Sequence, residues 1–167
     1  MGNIKLIAAA DENNLIGNDS KLPWPRLRPD LKHFLVKTLG NTVVMGRLTY
    51  DSIDEKYRPL KHRRNIVMSR DREYEPHPDV EVAHSLDDVL QMTKHDQQVY
   101  IIGGEKVYRQ FLPYASEVVL TRIHAAFEGD AYFPELSDRV WEEIARQEDS
   151  YKGIDFSYII YRRADHL

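Results

Sequence analysis

Short apolar runs punctuate the chain, and two periodicities alternate along it. Ile4-Lys5-Leu6-Ile7-Ala8-Ala9-Ala10 has the near-continuous apolar character of a strand covered on both faces. Asn41–Met45, Asn65–Ser69, Val80–Val82, Val99–Ile102 and Val118–Ile123 predict further strands. Asp155–Arg162 alternates apolar with polar positions and predicts a late strand, paired as a hairpin with residues near Trp141–Glu148. Between the strands the period lengthens. Asp30–Leu39 places Leu31, Phe34, Leu35 and Thr38 on one helical face, with Pro29 suited to its start and Gly40 to its end. Ser85 with Asp88 three residues on resembles a capping box and opens a helix through Met92. Glu105–Leu112 predicts another, stopped by Pro113.

Strand–helix–strand runs of this kind predict an α/β fold: a mixed, mainly parallel β-sheet with an antiparallel C-terminal edge strand and helices on both faces. No repeat or linker divides the sequence, so residues 1–167 read as one domain. Composition adds exclusions. Seventeen aromatic residues and a hydrophobic fraction of 42% argue against disorder. No apolar run approaches the roughly 20 residues that cross a bilayer, and the N-terminal residues lack a signal-peptide pattern. Without cysteine there is no disulfide framework, thiolate nucleophile or Cys-based metal site. His33, His62, His77, His95, His124 and His166 show no zinc-binding spacing, so no metal is expected. The expectation is a cytoplasmic, monomeric protein that binds neither membrane nor nucleic acid.

Charge is unevenly distributed. Residues 1–70 carry 13 basic and 7 acidic side chains, and the remainder carry 10 and 20. The basic residues are interleaved with apolar strands, which suggests a local anion site instead of a nucleic-acid arm. In parallel sheets ligands bind beyond the carboxyl ends of the strands. Gly46-Arg47-Leu48-Thr49 follows the second strand, Ser69-Arg70 the third, and Gly103-Gly104-Glu105-Lys106 the fifth. Glycine permits close backbone approach to a phosphate, and arginine supplies a two-pronged charged fork. Each segment alone is also consistent with an ordinary turn. Together they suit a ligand with several phosphates, although neither G-x-G-x-x-G nor a P-loop pattern occurs.

The loop after the first strand, Asn13 to Trp24, combines turn formers with Leu15-Ile16, Leu22 and Trp24. It reads either as a lid over a pocket or as a loop packed on the core. Asp30 opens a helix whose next apolar residues are Leu31 and Phe34. Favourable placement in the helix dipole accounts for it on its own. A carboxylate beside an apolar pocket also suits a cationic or amidine-like heterocycle, held by two parallel hydrogen bonds.

Five segments, taken together and in order, resemble the dihydrofolate reductase family. The first is Ile16-Gly17, four residues, Leu22-Pro23-Trp24, five residues, Asp30, three residues, Phe34. The second is Met45-Gly46-Arg47-Leu48-Thr49-Tyr50-Asp51-Ser52-Ile53. Arg58-Pro59-Leu60 with Arg63 to Arg70 makes the third, and Ile101-Ile102-Gly103-Gly104 with Val107-Tyr108 the fourth. Leu120-Thr121-Arg122-Ile123 and Glu128-Gly129-Asp130 with Phe133-Pro134 make the fifth. The resemblance runs from about Ile4 to the C-terminus.

It implies reduction of 7,8-dihydrofolate by NADPH, sensitivity to antifolate inhibitors, and a dihydrofolate reductase-like fold. It assigns the catalytic group to Asp30, Thr121, Leu22 and Trp24. Asp30 would hold the pterin's 2-amino group and N3, supported by Thr121. Leu31, Phe34, Ile53, Leu60 and Ile102 would line the substrate slot, with Tyr108 nearby. Ile7 and Ala9 would offer backbone groups, and Arg63 would hold the glutamate α-carboxylate. Around the cofactor it places Ala9, Ile16, Gly17 and Asn18 from the strand and lid. Gly46, Arg47, Leu48 and Thr49 would take phosphates, and Ser69 and Arg70 would flank the adenosine end. Ile102, Gly103, Gly104, Glu105, Lys106, Val107 and Tyr108 complete the set, with a cis peptide between the two glycines. Asp130 would hold the lid through backbone amides near Gly17. The chain departs from the family in three places. Asp54-Glu55-Lys56-Tyr57 lengthens the loop before Arg58, Lys61-His62 replaces Pro-Gly, and Leu48 stands where some relatives carry a cation. A reductase of the same fold acting on another heterocycle, and a non-catalytic nucleotide-binding module, are the rival readings.

Overall fold

The computed structural model describes residues 3–164, so His166 lies outside the described residues. Eight strands form one sheet. In chain order they are β1 (Ile4–Ala10), β3 (Thr42–Gly46), β4 (Arg64–Met68), β5 (Val80–Ala83), β6 (Val99–Gly103), β7 (Glu117–Ile123), β9 (Trp141–Tyr151) and β10 (Ile154–Arg163). Their order across the sheet is β5-β4-β3-β6-β1-β7-β10-β9. The first six in this order are mutually parallel, while β10 and β9 run antiparallel. Two short strands, β2 (Leu15–Gly17) and β8 (Ala131–Tyr132), pair separately.

The near-continuous apolar strands behave as their pattern predicts, burying both faces. Ile4, Leu6 and Ala10 of β1 join Val44, Ile66, Ile101, Val118 and Leu120 on one face. There they are covered by α3 (Leu86–Met92) and α4 (Glu105–Phe111). Ile7, Val43, Met45, Val67 and Val119 point the other way, toward α1 (Arg28–Thr38) and α2 (Arg47–Ser52), meeting Phe34 and Tyr50. A third cluster of Trp24, Leu27, Ile123 and Phe156 continues this second face beneath the loop that follows β1.

Local signals set the helix ends. Pro29 sits in the first turn of α1, and the helix stops before Gly40, whose φ is 77°. The Ser85 hydroxyl accepts from the Asp88 amide at 3.0 Å, while the Asp88 carboxylate accepts from the His84 amide at 2.9 Å. This is the capping box shifted by one residue, because the shorter Asp reaches a different amide from the one a Glu would reach. Helix α4 ends at Phe111, and Pro113 lies in a 3-10 turn beyond it, Leu112–Tyr114. The face of α1 differs from its pattern. Thr38 is buried and Phe34 half-buried, but Leu31 and Leu35 remain exposed. Neither belongs to a core cluster, so their apolar surface meets solvent.

One buried carboxylate ties the loops at the mouth of the sheet. Asp11 has no exposed surface. Its Oδ1 accepts from the amides of Asn13 (2.8 Å) and Leu15 (2.9 Å), and its Oδ2 accepts from the amide of Phe127 (2.9 Å). Arg122 donates to the Asp11 carbonyl at 2.7 Å and to Asn14 Oδ1 at 2.8 Å. The segments after β1 and after β7 are thereby joined at their bases. Asp11→Ala leaves three amides without acceptors and is expected to cost about 3 kcal/mol. Urea denaturation measures that loss, and hydrogen exchange is expected to quicken at Asn13, Leu15 and Phe127.

Candidate active site

The chain leaving β1 turns toward β3, and the chain leaving β6 crosses to β7. A crevice therefore opens beyond the carboxyl ends of these neighbouring strands. Asp30, in the first turn of α1, faces it from one side. The Thr121 hydroxyl on β7 donates to Asp30 Oδ1 at 2.6 Å, joining residues far apart in sequence. Burial raises the Asp30 carboxyl above its ordinary pKa, and the hydrogen bond from Thr121 opposes part of that rise. Oδ2 has no protein donor among the described residues. Phe34, Ile53, Leu60 and Ile102 are half-buried and pack against the core face formed by Ile7, Val43, Met45 and Tyr50.

Arg63 lies at the other end of the same helix. Its Nη1 donates to Thr38 Oγ1 at 3.1 Å, and its Nε donates to the Lys61 carbonyl at 2.9 Å. Thr38 in turn donates to the Phe34 carbonyl at 2.8 Å. The guanidinium is thus fixed on the last turn of α1 with no carboxylate partner among the described residues. The longer loop ahead of it forms one 3-10 turn, Glu55–Tyr57, in which Asp54 accepts from the Lys56 amide. Arg58 Nη1 donates to the carbonyls of Asp51 and Ile53, closing the end of α2. The insertion is absorbed locally and Arg63 stays against α1.

The loop after β1 folds back as β2, pairing with β8. Trp24 is buried against Phe127 with ring centroids 5.9 Å apart, anchoring one end of the loop. Leu22 stays 52% exposed. The Asp130 carboxylate accepts from the Asp19 amide at 3.3 Å, and the Asp130 amide donates to the Gly17 carbonyl at 3.0 Å. Asn18 and Lys21 bridge across the tip. Gly129 makes this closeness possible. A Cβ there would lie 2.3 Å from the Gly17 carbonyl oxygen and 2.9 Å from Leu15 Cδ1.

At the ends of β3 and β6, Gly46 and Gly103 lie on adjacent strands, with Met45 in register with Gly103. A Cβ on Gly46 would lie 3.2 Å from Val107, and one on Gly104 would lie 3.4 Å from Thr49 Oγ1. The Gly103–Gly104 peptide is cis. Bare backbone and a hydroxyl therefore share one edge with Arg47, which is 47% exposed. Arg70 and Lys106 are exposed, and Leu48 is apolar and exposed. This donor set fits a phosphate-bearing ligand.

A family model described as dihydrofolate reductase matches residues 3–163. The chain belongs to the dihydrofolate reductase family. It is 35% identical over 163 residues to the dihydrofolate reductase of Staphylococcus haemolyticus, covering 96% of this chain and 95% of that protein. It is 46% identical over 143 residues to dihydrofolate reductase type 3 of Salmonella typhimurium, covering 86% and 85%. Among solved structures, that of Enterococcus faecalis dihydrofolate reductase, complexed with NADP(H) and RAB-propyl, superimposes with a TM-score of 0.88 at 36% identity. The alignment covers 97% of this chain and 96% of that one.

Within the dihydrofolate reductase fold, several anticipated residues have their polar groups engaged inside the protein. The buried Tyr108 hydroxyl donates to the Ile7 carbonyl at 2.7 Å, and burial raises its pKa. Glu105 accepts from the Tyr132 amide at 2.7 Å, and Ser69 Oγ accepts from the Asp71 amide at 3.1 Å. Ile7 is buried, and Ala9, Ile16 and Gly17 are half-buried around the mouth. Three residues escape sequence reasoning. Asp11 and Arg122 hold the loop bases, and Tyr158 pairs with Thr121 across β10 and β7. The Asp11-Glu12-Asn13-Asn14 run is a turn signal that could have marked the first of these.

Two outcomes follow from this geometry. The Asp30 pKa is raised on folding, so the native state binds its proton more readily than the unfolded chain. Stability therefore falls as pH rises from the unfolded pKa through the folded one. Asp30→Asn is expected to stabilise the protein at neutral pH and to lose that advantage in acid, as thermal melts across pH will record. Gly129→Val drives a side chain into the Gly17 carbonyl and is expected to cost about 1–3 kcal/mol. Hydrogen exchange at Asp19 is expected to accelerate.

Proposed function

We propose that this protein catalyses NADPH-dependent reduction of 7,8-dihydrofolate to 5,6,7,8-tetrahydrofolate. The observation that carries the reading is the pair of charged groups held at the two ends of α1. Asp30 sits in its first turn, and Arg63 is fixed to Thr38 in its last. Thr38 lies eight positions beyond Asp30 along the helix, a rise of about 12 Å. A ligand with a hydrogen-bond-donating heterocycle at one end and a carboxylate at the other spans that distance, with Phe34 and Leu31 beside its middle.

Each residue then has a chemical task. Asp30 accepts from the 2-amino group and N3 of the pterin, while Thr121 fixes the plane of the carboxylate. The apolar wall of Phe34, Ile53, Leu60 and Ile102 excludes water and strengthens those bonds. Arg63 takes the α-carboxylate of the glutamate. NADPH, when bound, supplies the hydride that reaches C6 of the pterin. Its phosphates are held by Arg47, Thr49 and the bare backbone of Gly46, Gly103 and Gly104, and its adenosine end lies near Ser69 and Arg70. N5 gains its proton from water admitted beside Leu22, because Asp30 is bonded to the far side of the ring. The Asp30 charge favours the protonated pterin across the apolar slot. Ile16, Gly17, Asn18 and Trp24 close the lid over these groups. The protein acts as a cytoplasmic monomer, supplies tetrahydrofolate for one-carbon transfer, and is inhibited by diaminopyrimidine antifolates.

Loss of NADPH absorbance in the presence of dihydrofolate tests the reading. Turnover by the wild type is expected, with kcat/KM lower by about 100-fold or more in Asp30→Asn. The acid limb of the pH–rate profile is expected to vanish in that variant. No turnover by wild type, or an unchanged profile in Asp30→Asn, would sink it.

A further inference from the structure

Arg47 differs from most other arginines around the sheet. Arg58, Arg63, Arg64, Arg122, Arg146 and Arg163 each donate to a carbonyl, hydroxyl or carboxylate of the protein. Arg47 has no hydrogen bond to the protein among the described residues. It is nevertheless held. Its Cζ lies 4.2 Å from the centroid of the Tyr74 ring. Asp71 Oδ2 is 3.7 Å from its Nη1, and Asp51 Oδ2 is 3.9 Å from its Nε. Both distances exceed hydrogen-bonding range, so the carboxylates attract the guanidinium without consuming its N–H groups.

Tyr74 makes a firm platform. Its ring packs against the cluster of Ile7, Val43, Met45, Tyr50 and Val67. Its hydroxyl is buried with no hydrogen-bond partner, so the ring is placed by packing and not by its polar end. The loop after β4 that carries it is braced by its own bonds. The Asp71 amide donates to Ser69 Oγ, the Glu73 amide to Asp71 Oδ1 at 2.9 Å, and the Tyr74 amide to the Asp71 carbonyl at 3.2 Å. Arg47 thus reaches from the end of β3 onto the loop after β4. A guanidinium held over a ring, with no hydrogen bond to the protein, keeps its N–H groups free for two parallel bonds to a phosphate.

We infer that Tyr74 is a positioning residue for NADPH selectivity: its ring sets the plane of Arg47, whose unspent donors read the 2′-phosphate that NADH lacks. Asp71 opposes this grip, since it competes for the same guanidinium and repels the phosphate. The inference rests on the cofactor reading above, and what it adds is the part played by Tyr74.

Equilibrium titration of the ligand-free protein with NADPH and with NADH, followed by fluorescence, tests this without turnover. Wild type is expected to bind NADPH more tightly than NADH. Tyr74→Leu removes the stacking face and is expected to weaken NADPH binding about two- to fivefold, with NADH unchanged. Tyr74→Phe keeps the face and is expected to bind as wild type does. Asp71→Asn, on the surface and able to retain the Glu73 amide bond, is expected to tighten NADPH alone. Equal weakening of both dinucleotides in Tyr74→Leu, or the same loss in Tyr74→Phe, overturns the positioning role. So does wild type binding both equally, or Asp71→Asn leaving NADPH unimproved. Wild type binding neither dinucleotide overturns the cofactor reading itself.

Discussion

The mouth of the sheet depends on a charge that water cannot reach. The Asp11 carboxylate is fully enclosed, and a carboxylate in that position is stable only when its oxygens are satisfied. Its acceptors are taken by amides from two segments that lie far apart in the chain. The carboxylate therefore defines where each loop starts, and Arg122 locks the carbonyl of the same residue. Beyond this clamp the loops are free to differ in order. Leu15 and Trp24 are buried, while the stretch from Asn18 to Leu22 stands in solvent. A fixed base and an exposed tip are what a movable cover requires.

The working side chains of the crevice depend on the same economy. Thr121 and Thr38 are buried hydroxyls, and each is bonded to a charged group belonging to the site. Neither charge is neutralised. Thr121 fixes one oxygen of Asp30 and leaves the other available, while Thr38 orients Arg63 without cancelling it. Each charge is thus positioned and still available, and the half-buried setting of both groups increases its effect.

Much of this was legible in the chain. Most of the parallel strands announced themselves through apolar runs, because burial on both faces demands them, whereas Val80-Glu81-Val82 of β5 is short and carries an exposed Glu81; β10 was marked by its alternation, and β9 only as its hairpin partner. Asp30, Phe34 and Arg63 were marked by motif spacing. What stayed hidden depends on contacts between distant segments. Asp11 looks like an ordinary turn residue until Phe127 is brought to it. Gly129 looks like any loop glycine until Gly17 is seen against it. The apolar face of α1 carries no sign that Leu31 and Leu35 stay exposed while Thr38 is enclosed, because an apolar period does not tell which of its positions meet the sheet. Tyr108 and Glu105 carry structural bonds that no motif announces. The resemblance placed them at the ligands, and the fold gives their polar groups a further task, joining α4 to β1 and to β8.

The position of β1 has a consequence for how the molecule is made. It lies between β6 and β7, so Ile4 must find Val99 and Leu6 must find Val118. No strand near it in sequence can serve as a partner in the large sheet. This largely apolar strand therefore waits, unpaired, until more than half of the chain has emerged. Closure over such long loops is slow, and an exposed strand edge is sticky while it lasts. Refolding at high concentration should thus be limited by aggregation through β1, and a helper that shields this segment should raise the yield more than one that stabilises the finished sheet.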